Sequence, residues 1–343
     1  VAKQIFIAWI DFQRRAESMK SYFGFDLHYI CKPFNNPWLK VPSYIGMAWK
    51  TISLIRKSKA DVVWIQMPPT FLLHILALNR FIGGRRLTII ADCHNRVFRP
   101  PWSQVPGLIG QLNNIDVALA HNAEVYQTAI DFGVDPAKLM VFETRPAQLV
   151  RPNSMPAPPE VPEILVPCSY NPDEPISTLL EAARQSPDIR FLLTGKVAKA
   201  KAKGFVDAAP ENVIFTGFLD KDAYERLLFG CTAILGLTEL EGIQLSVANE
   251  AVGAGKAMVL SDTAILRELF GSAALFAKNE PNALAAACRE AIASASELNA
   301  RSATLREARE LRWEAQAEAV KAKANLLHTT ASASHAQSES TIA

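Results

Sequence analysis

A surplus of either charge is missing from this chain. Over 343 residues, 36 Lys and Arg face 34 Asp and Glu, a formal net charge of +2. That removes the bulk electrostatic argument for a nucleic-acid partner, and the bases are interleaved with aromatic residues in one segment only. Cysteine is scarce as well. Cys31, Cys93, Cys168, Cys231 and Cys288 are scattered, with no CxxC and no paired His spacing, which argues against a disulfide framework or a zinc site and for a reduced, cytosolic protein. No GxGxxG occurs, so a nicotinamide or flavin enzyme would lack its phosphate loop. The longest apolar run, 71–82, contains His74, Asn79 and Arg80 and is too short to span a bilayer. No signal peptide is expected ahead of Val1, although a start on Val without Met leaves the true beginning open.

What is present is an alternation of apolar strands with helical patterns, in a chain long enough for two domains with a core each. Strands are expected at 3–10, 25–31, 61–66, 87–91 and 115–120, and helices from about 43 and over 71–81. A Pro-rich stretch without periodicity, 151–163, reads as a linker. Beyond it, 164–167 opens a second series that closes with an Ala-rich helix at 281–293 and a long charged helix at 297–327. Residues 329–343 are mostly Ser, Thr, Ala and Gln, too polar to pack, and read as a disordered tail.

The stretch richest in information is 238–262. The apolar strand 233–237 runs into a polar loop with Gly242 and two acids. A small-residue helix follows, ending at Gly255, and then a second apolar strand ending at Ser261 and Asp262. In such a βαβ unit the first loop opens over a helix N-terminus, where free N–H groups and the helix dipole favour an anion such as a phosphate. Glu241 and Glu250 flank that spot.

Together with Asn-Val-Ile-Phe-Thr-Gly-Phe-Leu from Asn212, the runs Glu-Gly-Ile-Gln-Leu-Ser-Val-Ala-Asn-Glu-Ala and Met-Val-Leu-Ser-Asp-Thr resemble the C-terminal domain of retaining GT-B glycosyltransferases of the large family 4 type. The resemblance implies an α/β fold of two Rossmann-like domains facing a cleft: an acceptor domain at 1–150, the linker, a nucleotide-sugar domain at 164–294, and a helix at 295–328 crossing back, with Trp313 as its packing anchor. It also implies a site. Glu250 matches the residue that holds the nucleotide ribose, and Glu241 the one that contacts the donor sugar. The amides of Gly242, Ile243, Gln244, Leu245 and Ser246 would face sugar and phosphate, while Thr216 and Phe218 lie in the segment that cups the base. No metal or cofactor is implied beyond the nucleotide-diphosphate sugar, which is the substrate.

Two departures matter. Eight residues separate Glu241 from Glu250 where the family has seven, so the loop must bulge or Glu241 must be displaced. And where the family has a Gly-Arg followed by a Lys, whose cations neutralise the departing diphosphate, this chain has Ser169 and then Asp173 and Glu174. Electrostatic stabilisation of this kind is usually the largest catalytic term. Lys196 is the nearest replacement; Lys199, Lys201 and Lys203, two residues apart, read as a solvated, mobile loop.

In the first half, ligands are expected beyond the carboxyl ends of strands. Asp11, Arg14 and Arg15 follow the first strand, on the acceptor side or, for the two arginines, as a solvated helix face. His94, with Asn95 beside it, ends the fourth strand and matches the family's cleft-facing His. It joins Glu241 as a catalytic candidate, although a lone His is more often structural. His121 has less weight, since the family usually carries Ser or Thr-Asn there. Trp38, Tyr44 and Trp49 interleave with Lys40, Lys50, Arg56 and Lys57, which suits the headgroup zone of an anionic inner membrane or, equally, an amphipathic core helix with snorkelling bases. The resulting reading is an EC 2.4 hexosyltransferase passing a sugar to a saccharide or lipid-linked saccharide with retention, in bacterial surface polysaccharide synthesis, cytoplasmic or peripheral on the inner membrane. A non-catalytic GT-B partner and a sugar-nucleotide epimerase on the same fold are the alternatives.

Overall fold

The computed structural model describes residues 2–32, 37–83, 87–154 and 159–326. The disordered-tail expectation for 329–343 and part of the expected linker lie outside those residues. The chain divides into two compact units, one running to Arg145 and resuming at Leu311, the other Pro146–Glu310.

The first unit alternates strand and helix: β1 (Gln4–Ala8), α1 (Arg14–Phe23), β2 (Asp26–Tyr29), α2 (Lys40–Ser58), β3 (Val62–Met67), α3 (Leu72–Gly83), β4 (Thr88–Cys93), α4 (Leu108–Asn114), β5 (Val117–Ala120), α5 (Ala123–Asp131) and β6 (Leu139–Val141). Its sheet is parallel in the order β2-β1-β3-β4-β5-β6. Helices cover both faces of such a sheet, which is why β3 is buried at every position and reads as an unbroken apolar run. Residues 134–138 form a turn leading into β6, and the helix before it is α5. Asn122 fixes its start, its Oδ1 accepting from the Val125 N–H at 2.8 Å.

The second unit repeats the plan with β7 (Glu163–Pro167), α6 (Ile176–Arg184), β8 (Arg190–Thr194), α7 (Val197–Ala202), α8 (Phe205–Ala208), β9 (Val213–Gly217), α9 (Lys221–Gly230), β10 (Ala233–Gly236), α10 (Ser246–Ala254), β11 (Ala257–Ser261), α11 (Ala264–Phe270), β12 (Leu275–Ala277) and α12 (Pro281–Ala293). The parallel order is β12-β11-β10-β7-β8-β9. The expected loop of three lysines is therefore corrected: 197–202 is helical, and Ala200 packs into the core. The long helix α13 (Ala295–Lys323) places Trp313 in the first unit's core, edge-on to Tyr22 at 4.9 Å and tilted against Phe142 at 5.4 Å.

Candidate functional site

In the second unit the strand order runs outward from β7 in one direction and from β10 in the other. The crevice beyond the carboxyl ends of those two strands is the switch point where open α/β sheets bind ligands. The loops that leave β7 and β10 are tied together there. Asp173 accepts from the Glu239 N–H at 2.7 Å through its carbonyl and from Thr238 Oγ1 at 3.3 Å through its carboxylate. Thr238 is fixed in turn: its N–H donates to Ser261 Oγ at 2.9 Å, and its carbonyl accepts from Asn279 Nδ2 at 2.9 Å. Beneath, Gly195 has φ +121°, and a Cβ there would lie 2.2 Å from the Cys168 carbonyl, so the β8 exit can approach the β7 loop only as glycine.

The loop from β10 turns at Gly242, with φ +72°, and delivers the chain to α10. Leu245 occupies the N-cap without a side-chain cap, and the first turn carries no acid. Polar groups gather round this uncapped end. Gln244 Nε2 and Asn249 Oδ1 are buried with no hydrogen-bond partner among the described residues, a condition that buried polar atoms rarely tolerate. Glu250, one turn into the helix, is 5 % exposed and accepts a hydrogen bond from the Tyr224 hydroxyl. Ile243 and Leu245 are half-buried and Ser246 is exposed. Glu241 goes elsewhere: its Oε2 accepts from the Ala264 N–H at 3.2 Å, at the start of α11. With one residue more in the loop than the family spacing allows, its carboxylate caps the neighbouring helix.

At the β7 loop the charges are arranged in a way the sequence did not disclose. The Ser169 N–H donates to both oxygens of Glu174, at 3.1 and 3.0 Å. Lys199, on α7, donates to the Ser169 carbonyl at 2.6 Å and to Asn171 Oδ1 at 2.9 Å. An ammonium thus reaches the place where the Arg-Lys pair is missing, and it comes from Lys199; Lys196 stands exposed at the N-cap of α7. Thr216 is half-buried, its Oγ1 3.4 Å from the Leu193 carbonyl, and Phe218 is 81 % exposed. A cavity of about 770 Å³ in this unit, lined by Glu163, Thr216, Leu219 and Arg226 among others, includes none of the residues at the α10 N-terminus. The convergence of polar groups, rather than cavity size, marks the site. The buried thiols do not compete as nucleophiles, since burial pushes Cys231 up to about 11 and Cys288 up to about 12.

The first unit holds a second constellation. Asp92, on β4, is fully buried, and the Arg15 Nε lies 3.1 and 3.2 Å from its two oxygens. The rest of the guanidinium is spent on the Glu143 carbonyl at 2.6 Å, the Phe142 carbonyl at 2.7 Å and Thr144 Oγ1 at 3.2 Å. Arg15 is 4 % exposed and serves the interior, which corrects its placement on the acceptor side: the side chain turns inward because Asp92 and two strand-end carbonyls need a donor there. His121 Nε2 donates to Asp92 Oδ1 at 3.1 Å, and the His94 ring stands edge-on to His121 at 4.1 Å between centroids. Gln13 Nε2 lies 2.9 Å from His94 Nε2. An amide nitrogen only donates, so His94 accepts at Nε2 and carries its proton on Nδ1. Burial followed by the neighbouring His121 lowers His94 well below the usual imidazole range, and burial followed by Arg15 lowers His121. For Asp92, burial acts upward, yet Arg15 and then His121 outweigh it and hold the carboxyl well below the usual carboxylate range. Asp11 and Arg14 lie exposed after β1, and Asn95 is half-buried after His94.

Asp92, His94 and His121 offer three metal-type ligand atoms within 4.8 Å of one another. The guanidinium already neutralises the carboxylate and an amide holds His94 Nε2, so the donor set suits a charge-balanced network better than a divalent cation. His121, given less weight than His94 from sequence, belongs to it through Asp92, and so does Gln13, which escaped the sequence reading.

Comparison with known proteins bears on both units. Residues 163–294 match the family described as Glycosyl transferases group 1. No curated protein matches the chain in sequence. Among solved structures, HepE of Anabaena in complex with UDP-glucose is similar over 94 % of this chain and 100 % of its own, with TM-score 0.68 and 13 % identity. Sucrose-phosphate synthase of Thermosynechococcus elongatus matches over 96 % and 100 %, with TM-score 0.69 and 14 % identity. The lipopolysaccharide outer core galactosyltransferase WaaB matches over 93 % and 99 %, with TM-score 0.60 and 13 % identity. The fold is that of the GT-B glycosyltransferases, with two Rossmann-like units, and the family match lies within the second of them.

Proposed function

We propose that this chain is a glycosyltransferase that moves a sugar from a nucleotide-diphosphate donor to a saccharide or lipid-linked saccharide, with retention, in bacterial surface polysaccharide synthesis at the cytoplasmic face of the inner membrane. The observation that carries the reading is the α10 N-terminus inside the matched domain: an uncapped helix end, the unpartnered Gln244 Nε2 and Asn249 Oδ1 beside it, and buried Glu250 one turn on. Such an end receives phosphate. In this reading Glu250 holds the ribose and the Gly242 to Ser246 amides take the diphosphate. Lys199, with Lys196 beyond it, supplies positive charge as the diphosphate leaves. Retention needs no dedicated protein base or metal, because the departing phosphate can take the acceptor proton on the same face. His94 and Asn95, with Asp11 and Arg14, belong to the acceptor side, and Glu241 remains a helix cap. UDP-glucose in HepE makes a UDP-sugar the first donor to try.

One observation favours a second reading, a non-catalytic partner of an active transferase: the Ser169 amide is taken by Glu174 where the family places cations. Thermal-shift titration with UDP-, GDP- and ADP-sugars separates the two. The transferase reading expects a shift with one nucleotide, lost in Glu250→Ala and weakened in Lys199→Ala, and nucleotide release on addition of acceptor, with NMR of the product giving the donor's anomer. A folded sample that shifts with no donor sinks it in favour of the partner.

A further inference from the structure

Helix α2 carries apolar residues on two sides. Toward the core it turns Ser43, Met47, Thr51 and Ile55, with Ser43 1 % and Thr51 0 % exposed. Outward, at the same four-residue spacing on nearly the opposite side, stand Val41 at 67 %, Ile45 at 65 % and Trp49 at 73 %, with Trp38 at 91 % just ahead of the helix. A second apolar stripe left in water is uncommon on a globular helix. The end of α3 adds to it: Asn79 is 5 % exposed while Phe81 is 89 % and Ile82 60 %. Arg56 on α2 donates to Asn79 Oδ1 at 3.4 Å, which joins the two helices.

The charge of this region is equally one-sided. Between Asp26 and Asp92 the sequence has one acid, Asp61, against nine Lys and Arg, in a chain whose net charge is only +2. Asp61 accepts from the Lys3 backbone N–H at 2.9 Å. On α2 itself there is no acid, and Lys40, Lys50, Arg56 and Lys57 are exposed around the apolar stripe.

We propose that the outward face of α2 and the end of α3 dock this protein on an anionic lipid bilayer, with Trp38, Ile45, Trp49 and Phe81 entering the boundary between headgroups and acyl chains and the flanking lysines meeting lipid phosphates. An apolar stripe edged by bases alone fits such an interface. A second copy of the same surface would set bases against bases. Among the described residues no helix is long and apolar enough to cross a membrane, so the contact is interfacial.

The test is sedimentation of the full chain with vesicles of phosphatidylcholine alone or mixed with phosphatidylglycerol, at low and high salt, together with quenching of Trp emission by brominated lipid. Binding to the phosphatidylglycerol vesicles, quenching, and release by salt are expected. Trp38→Ser/Trp49→Ser should bind about tenfold more weakly, and Lys50→Glu/Lys57→Glu should lose the preference for anionic lipid. Both variants change exposed side chains, and an unchanged thermal midpoint checks their folding. Failure of the wild type to sediment with anionic vesicles overturns the proposal, as does equal binding by the Trp variant. A lipid-free dimer that the Trp variant abolishes also overturns it and assigns the face to a second copy. None of these readouts needs donor or turnover, so their failure removes the membrane location from the proposed function and leaves sugar transfer itself untouched.

Discussion

Replacing Arg15 with Met keeps most of the side-chain volume and removes the one cation among the described residues that touches both oxygens of Asp92. The two side chains are 3 % and 0 % exposed, so water does not take over. The carboxylate would be left with His121, and the Phe142 and Glu143 carbonyls would lose their donor. Breaking a buried pair from one side costs about 3–5 kcal/mol, a large part of a total stability of roughly 5–15 kcal/mol. The loss should also depend on pH. In the wild type the folded Asp92 carboxyl lies well below its ordinary value, so its contribution is full above the unfolded carboxyl range and fades as pH falls through and below it. In Arg15→Met the main cause of that lowering is gone, and burial then favours protonation. Urea denaturation followed by circular dichroism at pH 7 and pH 4 reads both effects: a loss of about 3–5 kcal/mol at pH 7, and a smaller difference from wild type at pH 4. A loss below about 1 kcal/mol at pH 7 would refute the view that this pair is desolvated and holds α1 to the sheet.

Two further outcomes follow from geometry already described. His94 and His121 have lowered folded values, so the unfolded chain takes up protons first; the denaturation midpoint should hold above about pH 6.5 and fall below it, and His121→Asn should flatten that fall, whereas an identical pH profile in the variant would count against the assignment. Gly195→Ala must fit a Cβ 2.2 Å from the Cys168 carbonyl at φ +121°, so calorimetry should show a loss of about 2 kcal/mol or more, and a change within about 0.5 kcal/mol would show that the β7 loop gives way.

The two parallel sheets were legible because strands covered on both faces have no polar side to hide: Val62 to Met67 and Ala233 to Gly236 are buried throughout. The α10 unit was legible through its loop, its small residues and Gly255, and the extra residue before Glu250 pointed to a bulge whose outcome is the Glu241 carboxylate on α11. Other features depend on strand order, which no local pattern encodes. Arg15 and Asp92 are 77 positions apart and His121 is 29 beyond Asp92; they meet because β1, β4 and β5 end on one edge. Lys199 was misread because four lysines in the 196–203 segment suggest solvent, while the single core contact that orients α7 is an alanine.

The carboxylate of Glu174 on the Ser169 amide makes anion capture at that loop an exchange instead of an addition. The donor is already satisfied from within the chain, and Lys199 balances the charge on the same residue's carbonyl. An arriving phosphate has to evict a tethered rival of its own sign, so what counts is the difference between two holds on one N–H. A small free anion gains little by the swap. A ligand anchored elsewhere along its length presents its phosphate at high effective concentration and can win it. If this loop meets the donor as proposed, it would select by attachment: it would admit a phosphate that belongs to a larger molecule already seated and turn away the same group travelling alone.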